Sequence, residues 1–234
     1  MKLILLSGMD GTGLLFANFV QKLEYEYSIV SYDSNKKQSY DELIKVVSKK
    51  IKPENSYIII AESFSGFIAY ELLKKHKNII SVIFVASFIS SPNRLLWFFK
   101  KYVPSSLIPL NPPRFFSKLL LGKMATTQVI RDFQEVLSKV KKVVFAFRIK
   151  EMAHIVVDSQ KINIRCSYLR PRNDILVSSN CVKIIKDKCQ DFRMYNIAGS
   201  HFVLQVNPSE SAKIINKEIE YILFTTKENV FSVF

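Results

Sequence analysis

The sequence has no apolar run long enough to cross a membrane. None of its uninterrupted apolar stretches reaches the roughly 18 residues that a membrane helix needs. The apolar stretch at residues 3–6 is also shorter than the roughly 7 to 15 residues of a signal-peptide core. The sequence therefore predicts a cytoplasmic protein.

Cysteine and histidine are scarce, with three of each. Cys166, Cys181 and Cys189 are odd in number and form no CxxC pair. This pattern favours reduced, packed thiols over a disulfide framework or a metal site. The histidines form no HxxxH pair either, so we expect neither a metal nor another cofactor.

Acidic residues are outnumbered, because 34 Lys and Arg face 20 Asp and Glu and the net charge is +14. Lysines spread along the chain, as in "SKKIK" at 48–52, are typical of a solvated surface. The alternative is attraction to an acidic partner, such as an acyl-carrier protein or an anionic membrane. Since the chain has no zinc finger, RNA-binding sheet motif or long arginine-rich run, we expect no nucleic-acid partner.

The sequence does contain an alternation of short apolar strands and amphipathic helices. Strands are predicted at 3–6, 27–32, 57–60, 79–88, 164–169 and 192–197. Helices are predicted between them, including one at 14–23 and one that Ser39 and Glu42 open at capping-box spacing. Nearly continuous apolar strands separated by helices are typical of a mostly parallel sheet with helices on both faces. We therefore predict an α/β fold of about six strands.

The alternation stops after Ser91 and resumes near residue 161. The intervening segment is rich in proline and aromatic residues and has a largely helical pattern. We predict a core at 1–91 and 161–234 and a helical cap insertion at 92–160.

Polar residues interrupt a buried pattern at "AESFSG", residues 61–66. A nucleophile elbow has a serine at the tip of a strand-to-helix turn, with small residues two positions before and after it. Ala61 and Ser65 occupy these positions, where glycine is usual, and Ser63 occupies the tip. The alternative is an ordinary tight turn without a catalytic role.

A glycine-rich turn follows the first predicted strand in "LLSGMDGTGLLF", residues 5–16. Its glycines do not match GxGxxG, and no GK[ST] follows, so nucleotide binding is poorly supported. The N–H groups of Met9 and Phe64 could instead form an oxyanion hole. A flexible glycine turn is the alternative.

Two late loops supply the remaining candidates for catalysis. Asp174 and His201 each follow a predicted strand. A serine hydroxyl becomes a good nucleophile when an imidazole takes its proton and a carboxylate orients that imidazole. Asp158 also lies between Ser63 and His201 in the chain and is the reserve candidate for the acid.

In its "GMDGTG", "AESFSG" and "GSHFVLQ" motifs the chain resembles the α/β-hydrolase superfamily, most closely compact bacterial serine hydrolases and esterases. The resemblance covers nearly the full length and includes the chain order serine, acid, histidine. It implies Ser63 as nucleophile, His201 as base and acid, and Asp174 as the acid that orients it. It also implies Met9 and Phe64 as oxyanion donors.

Two departures from the superfamily pattern accompany this resemblance. Ser7 stands where many relatives have histidine, and the first two strands of the usual fold are missing. Gly8 and Asp10 of the glycine-rich turn, with Trp97 and Phe98 of the cap insertion, are the candidate substrate-binding residues.

An insertion at this place in α/β-hydrolases covers the nucleophile and selects the substrate. Here it contains "LLWFFKKYVPSSLIPL" at 95–110, with many bulky apolar side chains. Packing onto the core is one explanation, and a hydrophobic acyl-binding cleft is another. The interleaved lysines also allow a third, less favoured explanation, in which this helix contacts an anionic membrane.

Together these features predict a serine hydrolase that cleaves a carboxylic ester or thioester with a hydrophobic acyl group. An esterase for an acyl-carrier-protein-bound methyl ester, of the biotin-precursor type, is one alternative. A non-catalytic binding protein with the same fold is another. An acyltransferase that uses the same triad also stays open.

Overall fold

The computed structural model describes residues 1–94, 96–97 and 114–231. Within these ranges six strands form one sheet in the order β2-β1-β3-β4-β5-β6, and all neighbouring strands are parallel. The strands are β1 (Lys2–Leu6), β2 (Tyr27–Val30), β3 (Tyr57–Glu62), β4 (Ile79–Val85), β5 (Ile162–Pro171) and β6 (Cys189–Ile197). The predicted parallel sheet of about six strands is confirmed.

Helices cover both faces of this sheet. On the faces lie α1 (Ala17–Val20), α2 (Tyr40–Ser48), α3 (Gly66–Lys75), α7 (Ser179–Lys188) and α9 (Pro208–Phe231). Other helices are α4 (Arg114–Leu121), α5 (Thr127–Ser138), α6 (Lys142–Ala153) and α8 (Val203–Val206). No helix in the described part of the chain is both long and apolar enough to span a bilayer.

Strand β3 lies in the middle of the sheet and is buried at every position. Ile59 pairs with Ile4 of β1 and Val82 of β4, and it faces the core under α2 and α3. Ile58 and Ile60 point to the opposite face, where α1 and α9 pack. Burial on both faces explains why these strands are continuous apolar runs rather than alternating ones.

Local signals located most elements but not all of their ends. The capping box is confirmed, since Glu42 N–H donates to Ser39 Oγ and the Glu42 carboxylate accepts from Ser39 N–H at 2.8 Å. The predicted helix at 14–23 is instead a 3-10 turn (Leu14–Phe16) followed by the four-residue α1. The predicted strand at 79–88 ends at Val85, because Ala86 adopts a left-handed backbone with φ of 46°.

Helices α4, α5 and α6 lie between β4 and β5 in the chain, within 92–160. They contact loops that follow the carboxyl ends of the strands. Lys141 N–H donates to the Ser34 carbonyl beyond β2, and Ser200 Oγ beyond β6 donates to the Leu121 carbonyl. These three helices therefore meet the sheet at the edge where the polar turns converge.

Candidate active site

Ser63 lies at the tip of a tight turn between β3 and α3. Its φ is 48°, in the left-handed region that non-glycine residues rarely adopt. Ser87 Oγ donates a 2.7 Å hydrogen bond to the Ser63 carbonyl and so braces the turn. A Cβ atom on Gly66 would lie 2.2 Å from that same Oγ, so glycine is required where α3 begins. A strained serine between a strand and a helix is the geometry of a nucleophile elbow.

Ser63, His201 and Asp174 form one chain of hydrogen bonds. His201 Nε2 lies 2.8 Å from Ser63 Oγ, and His201 Nδ1 lies 3.0 Å from an Asp174 carboxylate oxygen. Because a carboxylate can only accept, Nδ1 carries the proton of the neutral ring and Nε2 is left to accept the serine proton. The other Asp174 oxygen accepts N–H bonds from Leu176 and Val177 at 2.8 and 2.9 Å. The carboxylate is thereby held facing the imidazole.

The sheet brings these side chains together from distant parts of the sequence. Asp174 follows β5 and His201 follows β6, two neighbouring parallel strands that end at the same edge. The two loops are also joined directly, since Asn173 N–H donates to the Gly199 carbonyl at 3.0 Å. The pairing of β5 with β6 therefore positions the acid relative to the histidine.

Asp158, the reserve candidate for the acid, lies at the opposite end of the sheet, before β5 begins. Its carboxylate accepts from Tyr70 Oη at 2.6 Å and from Lys74 Nζ at 2.7 Å. The hydrogen bond from Lys74 and then that from Tyr70 lower the pKa of Asp158 to about 2. Asp158 thus belongs to a surface ion pair, and the carboxylate bonded to His201 is that of Asp174.

The environment of His201 favours its charged form despite the burial of the ring. Burial lowers the pKa of His201, but the charge and hydrogen bond of Asp174 and the charge of Glu62 raise it more. The net result is a pKa above the usual 6.5. The imidazolium that forms when His201 takes a proton is therefore stabilised in place.

Glu62 is a functional candidate that sequence reasoning noticed as polar but left without a role. Its carboxylate is buried, accepts from Gln205 Nε2 at 2.9 Å, and is also hydrogen-bonded by the Gly8 backbone. Burial raises the pKa of Glu62 to about 7, and the charge of Asp10 adds to the effect. This carboxyl group connects the histidine loop, through Gln205, with the glycine-rich turn.

The glycine-rich turn after β1 is closed by its own hydrogen bonds. Gly11 N–H donates to the Gly8 carbonyl at 3.0 Å. The Asp10 carboxylate accepts from the N–H and Oγ1 of Thr12 at 2.8 and 2.5 Å. Gly8 is packed closely as well, since a Cβ there would lie 3.2 Å from a Glu62 carboxylate oxygen. Gly8 and Asp10, predicted to bind substrate, thus shape the turn that carries Met9.

The elbow and the glycine-rich turn are also connected to each other. Ser65 Oγ donates a short hydrogen bond to the Ser7 carbonyl and accepts one from Tyr32 Oη at 2.6 Å. The Phe64 ring is fully buried and stacks on Tyr40 with ring centroids 4.6 Å apart. These contacts hold the backbone of residue 64 beside the strand that leads to Met9.

The predicted substrate-binding residues of the insertion are described only in part. Trp97 has 55% of its surface exposed. Phe98 lies outside the described residues, as does the rest of 95–110 apart from Leu96 and Trp97. A cavity of about 90 Å³ lies between Gln205 and residues that include Val129 and Phe133 of α5. It is well below the roughly 300 Å³ of a typical ligand pocket.

Side chains that could bind a metal are not grouped in the described ranges: no three His, Cys, Asp or Glu residues there are arranged to hold one.

No protein-family model and no curated protein sequence matches the chain.

Solved structures resemble the chain closely in architecture. A lipase-esterase related protein from Clostridium acetobutylicum ATCC 824 has a TM-score of 0.70 at 16% identity, over 92% of this chain and 93% of that chain. An alpha/beta hydrolase fold protein from Chitinophaga pinensis has a TM-score of 0.73 at 11% identity, over 94% and 89%. The type II thioesterase BorB from the borrelidin biosynthetic cluster has a TM-score of 0.69 at 15% identity, over 92% and 91%. The chain therefore has the α/β-hydrolase fold, as its motifs predicted.

Proposed function

We propose that this protein is a serine hydrolase that cleaves a carboxylic ester or thioester with a hydrophobic acyl group. The observation that carries the proposal is the hydrogen-bonded chain from Ser63 through His201 to Asp174, with distances of 2.8 and 3.0 Å. The strained backbone of Ser63 supports it, because an elbow presents the hydroxyl to a substrate above the sheet edge.

In the proposed reaction Ser63 Oγ attacks the acyl carbonyl while His201 Nε2 takes the hydroxyl proton. The N–H groups of Met9 and Phe64 stabilise the tetrahedral oxyanion. His201 then gives its proton to the leaving alcohol or thiol, and the acyl group stays on the serine. A water molecule, deprotonated by His201, attacks the acyl-enzyme and releases the carboxylic acid and the free serine.

The remaining predicted residues have supporting roles in this proposal. Gly8 and Asp10 shape the oxyanion side of the site through the turn that they close. Trp97 and Phe98 supply apolar surface for the acyl chain.

Hydrolysis of p-nitrophenyl esters from acetyl to palmitoyl tests this proposal. Wild type is compared with Ser63→Ala and with Ser138→Ala, which removes a hydroxyl from the exposed end of α5. We expect turnover in wild type and Ser138→Ala and none in Ser63→Ala. Equal turnover in all three proteins would refute the nucleophile, and the preferred chain length would measure the acyl site.

A thioester on an acidic acyl-carrier protein is a second candidate substrate. The net charge of +14 favours an acidic partner, and the similarity in fold to a type II thioesterase favours a thioester bond. Electrostatic steering weakens as salt screens the charges, so turnover of a carrier-bound acyl thioester should fall steeply with ionic strength. Salt-independent turnover of that substrate, beside salt-independent turnover of a small ester, would argue against it.

A further inference from the structure

Arg148 is a fully buried arginine in the middle of α6. It lies on one face of the helix with Val144 and Met152, four residues to either side. None of the three side chains is exposed to solvent. Arginine is almost never fully buried unless its charge is compensated. Its burial among apolar neighbours therefore calls for a specific partner.

That partner is a set of three backbone carbonyl groups. Arg148 Nη1 donates to the carbonyls of Met9 and Asp10 at 2.9 and 2.8 Å, and Nη2 donates to the carbonyl of Asp33 at 3.0 Å. No carboxylate in the described ranges forms an ion pair with Arg148. The planar fork of the guanidinium suits this task, because it reaches several acceptors at fixed angles.

The turn is built to receive this side chain. Gly11 has φ of 71°, and a Cβ there would lie 2.6 Å from Arg148 Nη1. The Gly11 carbonyl accepts from Tyr32 N–H at 2.6 Å, which ties the turn after β1 to the chain after β2. Arg148 spans the same two segments through Met9 and Asp33. Because no part of its surface is exposed, it is not available to bind a substrate.

We propose that Arg148 is a positioning residue that fixes the oxyanion turn, so that a helix of the insertion sets the direction of the Met9 N–H group. The carbonyls that it holds belong to the peptide groups that follow Met9 and Asp10. The second of these groups also contains the Gly11 N–H, which donates to the Gly8 carbonyl at 3.0 Å. That carbonyl shares its peptide group with the Met9 N–H, so loss of Arg148 would free this peptide group to rotate. This inference rests on the proposed function, in which Met9 N–H stabilises the oxyanion.

The expected effect falls on kcat rather than on KM. An oxyanion donor acts mainly in the transition state, and removing one typically lowers kcat by about 10²- to 10³-fold. A loosened turn should retain part of the oxyanion stabilisation. Arg148→Ala should therefore lower kcat by roughly 10- to 100-fold with little change in KM.

The experiment compares wild type with Arg148→Ala, Arg148→Lys and the control Arg131→Ala. Arg131 lies exposed on α5 and contacts Gln128 of its own helix. Each protein is assayed for kcat and KM with the best p-nitrophenyl ester, with and without guanidinium chloride well below denaturing concentrations, and with sodium chloride at equal ionic strength. Amide hydrogen exchange of residues 8–13 is measured in parallel, because it reports how readily the backbone of the turn opens and does not require turnover.

We expect faster exchange at 8–13 and a lower kcat in Arg148→Ala, with part of the loss in kcat restored by guanidinium but not by sodium. Arg148→Lys should stay impaired, because a single ammonium cannot reach all three carbonyls, and it carries the test if the alanine variant does not fold. Wild-type kcat in a folded Arg148 variant, or unchanged exchange at 8–13, would overturn the role of Arg148 while leaving the hydrolase intact. No turnover of p-nitrophenyl esters in wild type would overturn the proposed cleavage of simple esters, whereas exchange at 8–13 would still decide whether Arg148 holds the turn.

Discussion

Replacing Glu62 by glutamine should remove a loss of stability that the wild-type protein shows as the pH rises. The Glu62 carboxyl group is buried beside the proposed nucleophile, and burial raises its pKa from 4.5 to about 7. The folded protein therefore binds this proton more tightly than the unfolded chain does. The resulting stabilisation is complete below the unfolded pKa near 4.5 and is lost as the pH rises through the folded pKa near 7.

The size of this effect follows from the difference between the two pKa values. A rise from 4.5 to about 7 corresponds to about 3 kcal/mol of unfolding free energy. Glutamine has nearly the same shape and no charge to desolvate, so Glu62→Gln should lack this pH-dependent component. Its absolute stability can still differ, because Gln205 and the Gly8 backbone both bond to the native carboxylate. The informative quantity is consequently the change of stability with pH.

Urea unfolding from about pH 5 to about pH 9 measures that change, since the slope of stability against pH counts the protons released on folding. Wild type, Glu62→Gln and Glu54→Gln are compared, and Glu54 supplies an exposed carboxylate far from the site. We expect wild type and Glu54→Gln to lose about 3 kcal/mol more over this interval than Glu62→Gln does. Parallel stability curves for wild type and Glu62→Gln would refute the reasoning.

Asp174→Asn should lower kcat by roughly 10³- to 10⁴-fold, since the amide no longer stabilises the imidazolium of His201 or fixes its tautomer. In wild type the raised pKa of His201 should place the acidic limb of the kcat/KM profile above pH 6.5, with activity falling as the pH drops through it. Asp174→Asn should move any residual acidic limb to lower pH, because Asp174 is the main group that raises this pKa. Gly66→Ala should lower the unfolding free energy by about 2 kcal/mol or more in urea titrations, because its Cβ would lie 2.2 Å from Ser87 Oγ and 2.5 Å from the Phe88 carbonyl oxygen.

Asp158→Asn is the matched control for Asp174→Asn, because it removes a carboxylate that bonds to Lys74 instead of His201. Near-normal kcat in Asp174→Asn, or an equal loss in the control, would contradict the assigned acid. Wild-type stability in Gly66→Ala would show that the start of α3 can shift away from Ser87.

The main features of the fold and the site could be predicted from local patterns. Buried parallel strands are continuous apolar runs, and their carboxyl ends meet at one edge. Polar residues placed directly after such strands are consequently neighbours in space, which is why Ser63, Asp174 and His201 could be grouped without a structure. The turn motifs around these three residues indicated the same grouping.

The contacts that support the site could not be predicted in this way. Arg148 stands in a segment with other cations, and nothing in "FRIKEM" distinguishes it from the exposed Lys150 two residues later. Its acceptors are backbone carbonyls 115 to 139 residues away, and carbonyls leave no signature in a sequence. Gln205 likewise meets Glu62 across 143 residues. The shortness of α1 was missed because an apolar periodic pattern does not record where tertiary packing ends a helix.

The left-handed backbone of Ser63 has a consequence for how this protein can be engineered or can drift. That conformation costs a non-glycine residue roughly 1–2 kcal/mol, so glycine would suit position 63 better than the residue found there. Selection for thermal stability alone would therefore favour loss of the proposed nucleophile. Retention of serine requires selection for activity. A library of variants screened for thermal stability should therefore also be screened for turnover.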